Sequence, residues 1–243
     1  MAGDGRLTVE NVDAGYGKLH IIFSMSLEAE RGKITVIVGP NGSGKSTLLK
    51  TIAGLTTLYG GRITLDGQDL TRLPPHEIAK RGIAYLPQVD NVFVNLSVEE
   101  NLKMAGYTVP KQELASRMGE VLELFPELRR FLHTRALLLS GGQRQMLAMA
   151  MALMRRPKVM MFDEPTGNLA PKIATQVLRL ISSLAKELNL TVLLVEQNAK
   201  RALEMGDRAY LLVNGRKVYE GEAKQLLEHQ ELGRLYLGLR VEA

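Results

Sequence analysis

The chain has 243 residues, 45% hydrophobic and 23% charged, with a formal net charge of +5. That balance excludes a disordered or fibrous chain and fits one substantial α/β domain, or a domain with a small subdomain. With no cysteine there is no disulfide framework, thiolate metal site or cysteine nucleophile, and with no Lys/Arg block nucleic-acid binding is not expected.

From Leu7 to Leu27 short runs alternate apolar and polar residues, broken at Gly15-Tyr16-Gly17, which predicts an antiparallel β layer. Tyr16, an aromatic between glycines, suits stacking on a planar base or half-buried packing equally well. Lys33 to Val38 reads as a buried strand and Ser46 to Leu55 as a helix. Between them Gly39-Pro40-Asn41-Gly42-Ser43-Gly44-Lys45-Ser46 fits G-x-x-x-x-G-K-[ST]. Glycines there let backbone N–H groups curl round an oxyanion, Lys45 adds a charge near the outer phosphates, and Ser46 offers a hydroxyl to magnesium. The helix start behind the loop contributes unpaired N–H donors and the positive end of its dipole.

Arg62 to Leu65, with the turn Asp66-Gly67, continues the β character; Pro75 to Arg81 reads as a short helix and Ile83 to Leu86 as a strand ending at Pro87-Gln88. Gln88 there is a neutral side chain on a loop, within reach of a metal or an attacking water, or simply solvated. From about 90 to 155 the texture turns helical. Ser97-Val98-Glu99-Glu100 is a capping box opening a helix to about Ala105, followed by helices over Gln112 to Phe125 and Gly142 to Met154. Leu139-Ser140-Gly141-Gly142-Gln143 heads the last of these, a second cluster of N–H donors and a hydroxyl suited to an anion, or an ordinary helix cap. One nucleotide does not need two such cradles. The economical reading is two chains meeting head to tail, each placing this helix start against a phosphate held by the other.

Val159 to Phe162 and Thr191 to Val195 are β runs flanking a helix over Ile173 to Leu188, the grammar of a parallel sheet. The first run delivers Asp163 and Glu164 at its C-terminal end, where open α/β sheets place ligands. Asp163 is the candidate magnesium holder, and Glu164 the candidate for orienting and deprotonating the attacking water. Asn214-Gly215 between two further β runs signals a type I′ hairpin, and a last helix is expected from about Ala223 to Tyr236. Met1 to Arg6 has no apolar signal core and the longest apolar run, Met146 to Met154, is too short to span a bilayer. The chain is expected to be soluble, with any membrane role coming through a partner.

Together the residues resemble the ATP-binding subunits of ABC transporters, from Leu7 to Gly238. By position, Gly39 to Ser46 matches the Walker A loop, with Thr47 added to the nucleotide set; Gln88 matches the Q-loop, Ser140, Gly141, Gly142 and Gln143 the signature, and Asp163 and Glu164 the Walker B acids. Tyr16 matches the adenine-stacking aromatic, Thr166 to Pro171 the D-loop, and Gln197 the switch position, where most relatives carry histidine. The resemblance implies a P-loop α/β ATPase domain: a core with an antiparallel β subdomain over 1–89 and 156–243, and a helical signature subdomain over 90–155. It implies ATP and Mg²⁺ as ligands, with Ser46, Gln88 and Asp163 at the metal and Glu164, Gln197 and Gln88 at the chemistry.

Leu169-Ala170-Pro171, Val195-Glu196-Gln197-Asn198-Ala199 and Leu235-Tyr236-Leu237-Gly238 resemble the second ATPase subunit of branched-chain amino-acid importers, the LivF type; importers of urea and short-chain amides share much of this pattern. The partners implied are a second ATPase subunit of the same or similar sequence, two polytopic membrane subunits and an external solute-binding protein, on the cytoplasmic face of the membrane. A soluble ABC-type ATPase acting in assembly, as in iron–sulfur cluster biogenesis, is the alternative of another class. Hydrolysis is expected to persist with Gln197, since an amide still donates and accepts and Lys45, Ser46, Asp163 and Glu164 are intact.

Overall fold

The computed structural model describes residues 5–89, 91–232 and 236. In chain order the elements are β1 (Leu7–Tyr16), β2 (Leu19–Ala29), β3 (Ile34–Val38), α1 (Lys45–Ile52), β4 (Thr57–Leu65), β5 (Gln68–Asp69), α2 (Pro75–Lys80), β6 (Ile83–Leu86), α3 (Val98–Ala105), α4 (Lys111–Leu124) and α5 (Gly141–Leu153). There follow β7 (Val159–Asp163), α6 (Pro171–Glu187), β8 (Thr191–Val195), α7 (Ala199–Met205), β9 (Arg208–Val213), β10 (Arg216–Glu222), α8 (Ala223–Glu228) and α9 (Gln230–Leu232). Short 3₁₀ segments at Pro126–Phe131 and Ala136–Leu138 join α4 to α5.

The runs Ile-Thr-Val-Ile-Val, Val-Met-Met-Phe-Asp and Thr-Val-Leu-Leu-Val are buried at every position. Strands covered on both faces favour parallel pairing, and these three are the centre of a six-stranded sheet ordered β10-β9-β3-β8-β7-β6. All its pairings are parallel except β10 with β9. The period of two divides the core. Val36, Val38, Met160, Phe162, Val192 and Leu194 point to one face, where they join α3 to α7 in one apolar cluster. Ile37, Met161, Val159, Leu193 and Val195 point to the other, packing on α1, α2 and an antiparallel sheet ordered β2-β1-β4-β5. The fold is therefore α/β, with a mixed sheet, an antiparallel sheet and a helical layer.

Local chemistry sets the element ends. Ser97 Oγ accepts from Glu100 N at 3.2 Å while Ser97 N donates to Glu100 Oε2 at 2.7 Å, the reciprocal box expected at the start of α3. Asn214 and Gly215 have φ of 50° and 75°, the pair of positive values that a type I′ turn requires between β9 and β10. The expected terminal helix is instead interrupted at His229, where ψ of 98° leaves the helical region, and resolves into α8 and α9. Its continuation at 233–235 lies outside the described residues, as do Leu235, Leu237 and Gly238 of the closing motif. Helix α7, capped by Asn198 Oδ1 accepting from Arg201 N, was not anticipated from the sequence because seven residues give too short a periodic signal.

The β9–β10 hairpin does more than reverse the chain. Gly215 N donates to Ser43 O and Gly215 O accepts from Phe23 N, both at 2.9 Å, so one glycine joins the Gly-rich loop to β2. A Cβ there would overlap the Ile21 carbonyl, and φ is positive besides. Gly215→Ala is expected to lower stability by about 2 kcal/mol or more, read as a lower urea midpoint at unchanged m-value.

Candidate functional site

Four loops converge at the C-terminal ends of β3, β6, β7 and β8. The loop after β3 is shaped by Gly39 (φ 150°), where a Cβ would overlap the Leu212 carbonyl of β9. Its interior is held by Lys45, buried at 5% exposure, whose Nζ donates to Gly39 O and Pro40 O at 2.9 Å each. Ser43 N closes on Pro40 O, and Asn41 and Gly42 face solvent at the tip. Burial pushes the Lys45 ammonium below its ordinary range, while the charges of Glu164 and Asp163 pull it back up. Thr47 is buried in the first turn of α1.

Asp163, 4% exposed, ends β7 and accepts two hydrogen bonds: Oδ1 from Ser46 Oγ at 2.7 Å and Oδ2 from Tyr85 OH at 2.9 Å. Glu164 beside it has φ of 50°, an unusual conformation for a residue with a Cβ, and its N–H donates to Val195 O. Gln88, on the exposed loop after β6, donates from Nε2 to Glu164 Oε2 at 3.0 Å. Hydrogen bonds join Ser46 and Tyr85 to Asp163 and Gln88 to Glu164, and chain adjacency links Lys45 to Ser46 and Asp163 to Glu164. Gln197 is exposed just past β8, its carbonyl accepting from Ala199 N. Tyr16 ends β1 at 41% exposure, and its hairpin is pinned by Tyr59 OH donating to Gly17 O at 2.9 Å.

The helix start at Ser140 is not a free cradle in the single chain. Its hydroxyl accepts from Gln143 N at 3.3 Å, Ser140 N donates to Gln143 Oε1, and Gln143 Nε2 donates to Glu127. Gly141 and Gly142 are closely packed: a Cβ on the first would lie 2.6 Å from Leu169 Cδ2, and on the second 2.7 Å from Ile173 Cγ2. The α5 start is therefore seated on the 164–171 loop and on α6.

Tyr85 has no counterpart in the sequence reading. It lies mid-strand on β6, and only the parallel pairing of Tyr85 with Met161 carries its phenol to Asp163. Burial and the Asp163 carboxylate raise its ionisation far above the ordinary phenol range, so it remains a donor. Tyr85→Phe is expected to raise the Mg²⁺ concentration for half-maximal ATP hydrolysis by about tenfold, since outer partners orient a metal-holding carboxylate. Magnesium titration at saturating ATP checks this.

The donor set fits the ATP and magnesium that the resemblance implies. Ser43 Oγ is buried without a hydrogen-bond partner in the loop, Gly42 has open space beside it, and Ser46 with Asp163 forms a hard-oxygen pair. Among the described residues no group of three or more His, Cys, Asp or Glu residues is placed to hold a metal.

The family model described as ABC transporter matches residues 22–167. The chain is 54% identical over 233 residues, 96% of its length and 99% of the relative's, to a probable branched-chain amino acid transport ATP-binding protein, LivF, of Archaeoglobus fulgidus. It is 42% identical, over 96% of this chain and 99% of the relative, to the high-affinity branched-chain amino acid transport ATP-binding protein BraG of Pseudomonas aeruginosa. A crystal structure of the ADP conformation of an ATP-binding cassette of an ABC transporter superposes with a TM-score of 0.83 at 27% identity, covering 96% of this chain and 98% of that one.

Proposed function

This chain belongs to the ABC transporter family as an ATP-binding ATPase, and from that premise we propose that it powers an importer of branched-chain amino acids. The observation that carries the chemical part is the bond between Ser46 Oγ and Asp163 Oδ1, with Glu164 next in the chain. Residues far apart in sequence are joined there into a hard-oxygen pair beside a carboxylate.

In this reading the backbone of Gly39 to Ser46, with Thr47 in the helix start behind it, receives the phosphates of ATP, and Lys45 turns from its own loop carbonyls to the outer phosphates. Ser46 and Asp163, with Gln88 nearby, would hold magnesium, which when bound would supply charge neutralisation for the phosphoryl oxygens. Glu164 orients and deprotonates the attacking water, its carboxylate aimed by Gln88. Tyr16 stacks on adenine, and Gln197 donates an amide N–H toward the transferring phosphate. Ser140 to Gln143 of a second ATPase subunit completes the site across a head-to-tail interface.

The 90–155 subdomain carries the coupling. Phe93, Val94, Leu137 and Leu138 are exposed, the last at 74%, and Leu137 N donates to Val94 O at 2.9 Å, which makes them one apolar patch beside the Gln88 loop. No helix among the described residues is long and apolar enough to cross a membrane, so membrane subunits supply the path and this patch docks on them from the cytoplasmic side. An external solute-binding protein delivers the amino acid. Affinity purification from solubilised native membranes with ATP and Mg²⁺ is expected to bring down two polytopic proteins and a second ATPase. Recovery of soluble partners alone would sink the importer reading.

A further inference from the structure

Among the described residues three acidic or basic residues are buried as a whole: Lys45, Asp163 and Glu196. The first two face the phosphate loop. Glu196, 3% exposed at the end of β8, has no part in the chemistry given above. Its two oxygens take both donors of one residue, Oε1 from Thr166 N at 3.0 Å and Oε2 from Thr166 Oγ1 at 2.9 Å.

Thr166 stands two residues after Glu164, and the segment between them is held at each end. Glu164 N donates to the carbonyl of Val195, the residue preceding Glu196, at 2.9 Å, and Gly167 N closes on Glu164 O at 3.0 Å. Glu164 keeps a φ of 50° within this turn. Such a conformation persists only where its surroundings over-determine it, and the Thr166 anchor adds to the Val195 and Gly167 contacts that hold it. Glu196 also directly precedes Gln197 in the chain. One residue therefore joins the two segments, gripping the Glu164 turn through its side chain and leading into Gln197 through its backbone.

We propose that Glu196 is a positioning residue for ATP hydrolysis: its grip on Thr166 fixes the turn that aims Glu164 and yokes that turn to Gln197. This rests on the reading of Glu164 as the general base. Burial raises the Glu196 carboxyl above its ordinary range, against the lowering effect of the Thr166 bonds. A neutral amide serves the same geometry, since its oxygen accepts from Thr166 N while its nitrogen donates to Thr166 Oγ1. Position rather than charge is the role.

The test is steady-state hydrolysis by the chain purified with its membrane partners, with Glu164→Gln as the floor. Glu196→Ala is expected to lower kcat by about 10- to 100-fold while the KM for ATP stays within about twofold. Glu196→Gln is expected to stay within about threefold of the unmodified protein, and Thr166→Val to lower kcat without adding to the loss in Glu196→Ala. Hydrogen exchange at Thr166, read in the same variants, is expected to speed up in Glu196→Ala and not in Glu196→Gln. A Glu196→Ala protein that keeps its kcat, or a Glu196→Gln protein that falls as far as the alanine variant, overturns the proposal. Should the unmodified protein hydrolyse no faster than Glu164→Gln, the general-base reading fails instead, and exchange at Thr166 still decides whether Glu196 is the anchor.

Discussion

Replacing Glu164 by glutamine is expected to lower ATP hydrolysis by about 10²- to 10³-fold while leaving ATP affinity nearly unchanged, because the change removes a base and little else. The amide is isosteric and keeps an acceptor for Gln88 Nε2, which now stands 3.0 Å from the carboxylate. The backbone at φ 50° keeps the same strain, since glutamine carries the same Cβ. Lys45, Ser46 and Asp163 make no hydrogen bond to the Glu164 side chain, so the phosphate cradle survives. Phosphate release at saturating ATP, set beside equilibrium nucleotide binding, separates the two effects. A rate within about threefold of the unmodified protein would remove Glu164 from the role of base.

The second large effect is on binding. Lys45→Ala is expected to weaken ATP binding by about 10²-fold, because a charge-assisted hydrogen bond to an anion contributes about 1.5–3 kcal/mol and this ammonium is already desolvated within the loop. Without ligand its Nζ satisfies Gly39 O and Pro40 O, so truncation also strips the loop of an internal strut. Lys45→Arg is expected to rescue poorly: a planar guanidinium does not fit a site built round a compact ammonium buried at 5% exposure. Titration calorimetry with a non-hydrolysable ATP analogue checks the affinity, and a thermal melt of each apo protein separates the loss of the strut from the loss of the ligand contact. An affinity unchanged in Lys45→Ala would mean that the backbone amides alone carry the phosphates.

The sequence was most readable where one residue's neighbours determine its state. Runs such as Val159–Asp163 are apolar on both faces and have one stable place, the middle of a parallel sheet. The capping box at Ser97 and the Asn214-Gly215 turn are equally local. The Gly-rich loop was legible because its chemistry requires fixed spacing within eight residues. What escaped notice depends on pairing across the sheet. Tyr85 reaches Asp163 through the β6–β7 register, and Glu196 reaches Thr166 because β7 and β8 end side by side. The glycines after Ser140 carry a similar lesson. They read as an open anion cradle, and in the single chain they are also spacers against Leu169 and Ile173, contacts made through tertiary packing alone.

The amide that Gly215 lends to Ser43 has a consequence for biosynthesis. As the chain leaves the ribosome, Gly39 to Ser46 emerges early, complete in its residues, yet the Leu212 carbonyl behind Gly39 and the amide on Ser43 are not yet made. Strand β3 waits as well, for both its sheet neighbours, β8 and β9, come later in translation. Contacts of such sequence separation form late and slowly. Nascent chains short of β9 thus hold the residues of the Gly-rich loop without the frame that shapes them. The loop is expected to take its final shape only once the C-terminal third of the chain has been made.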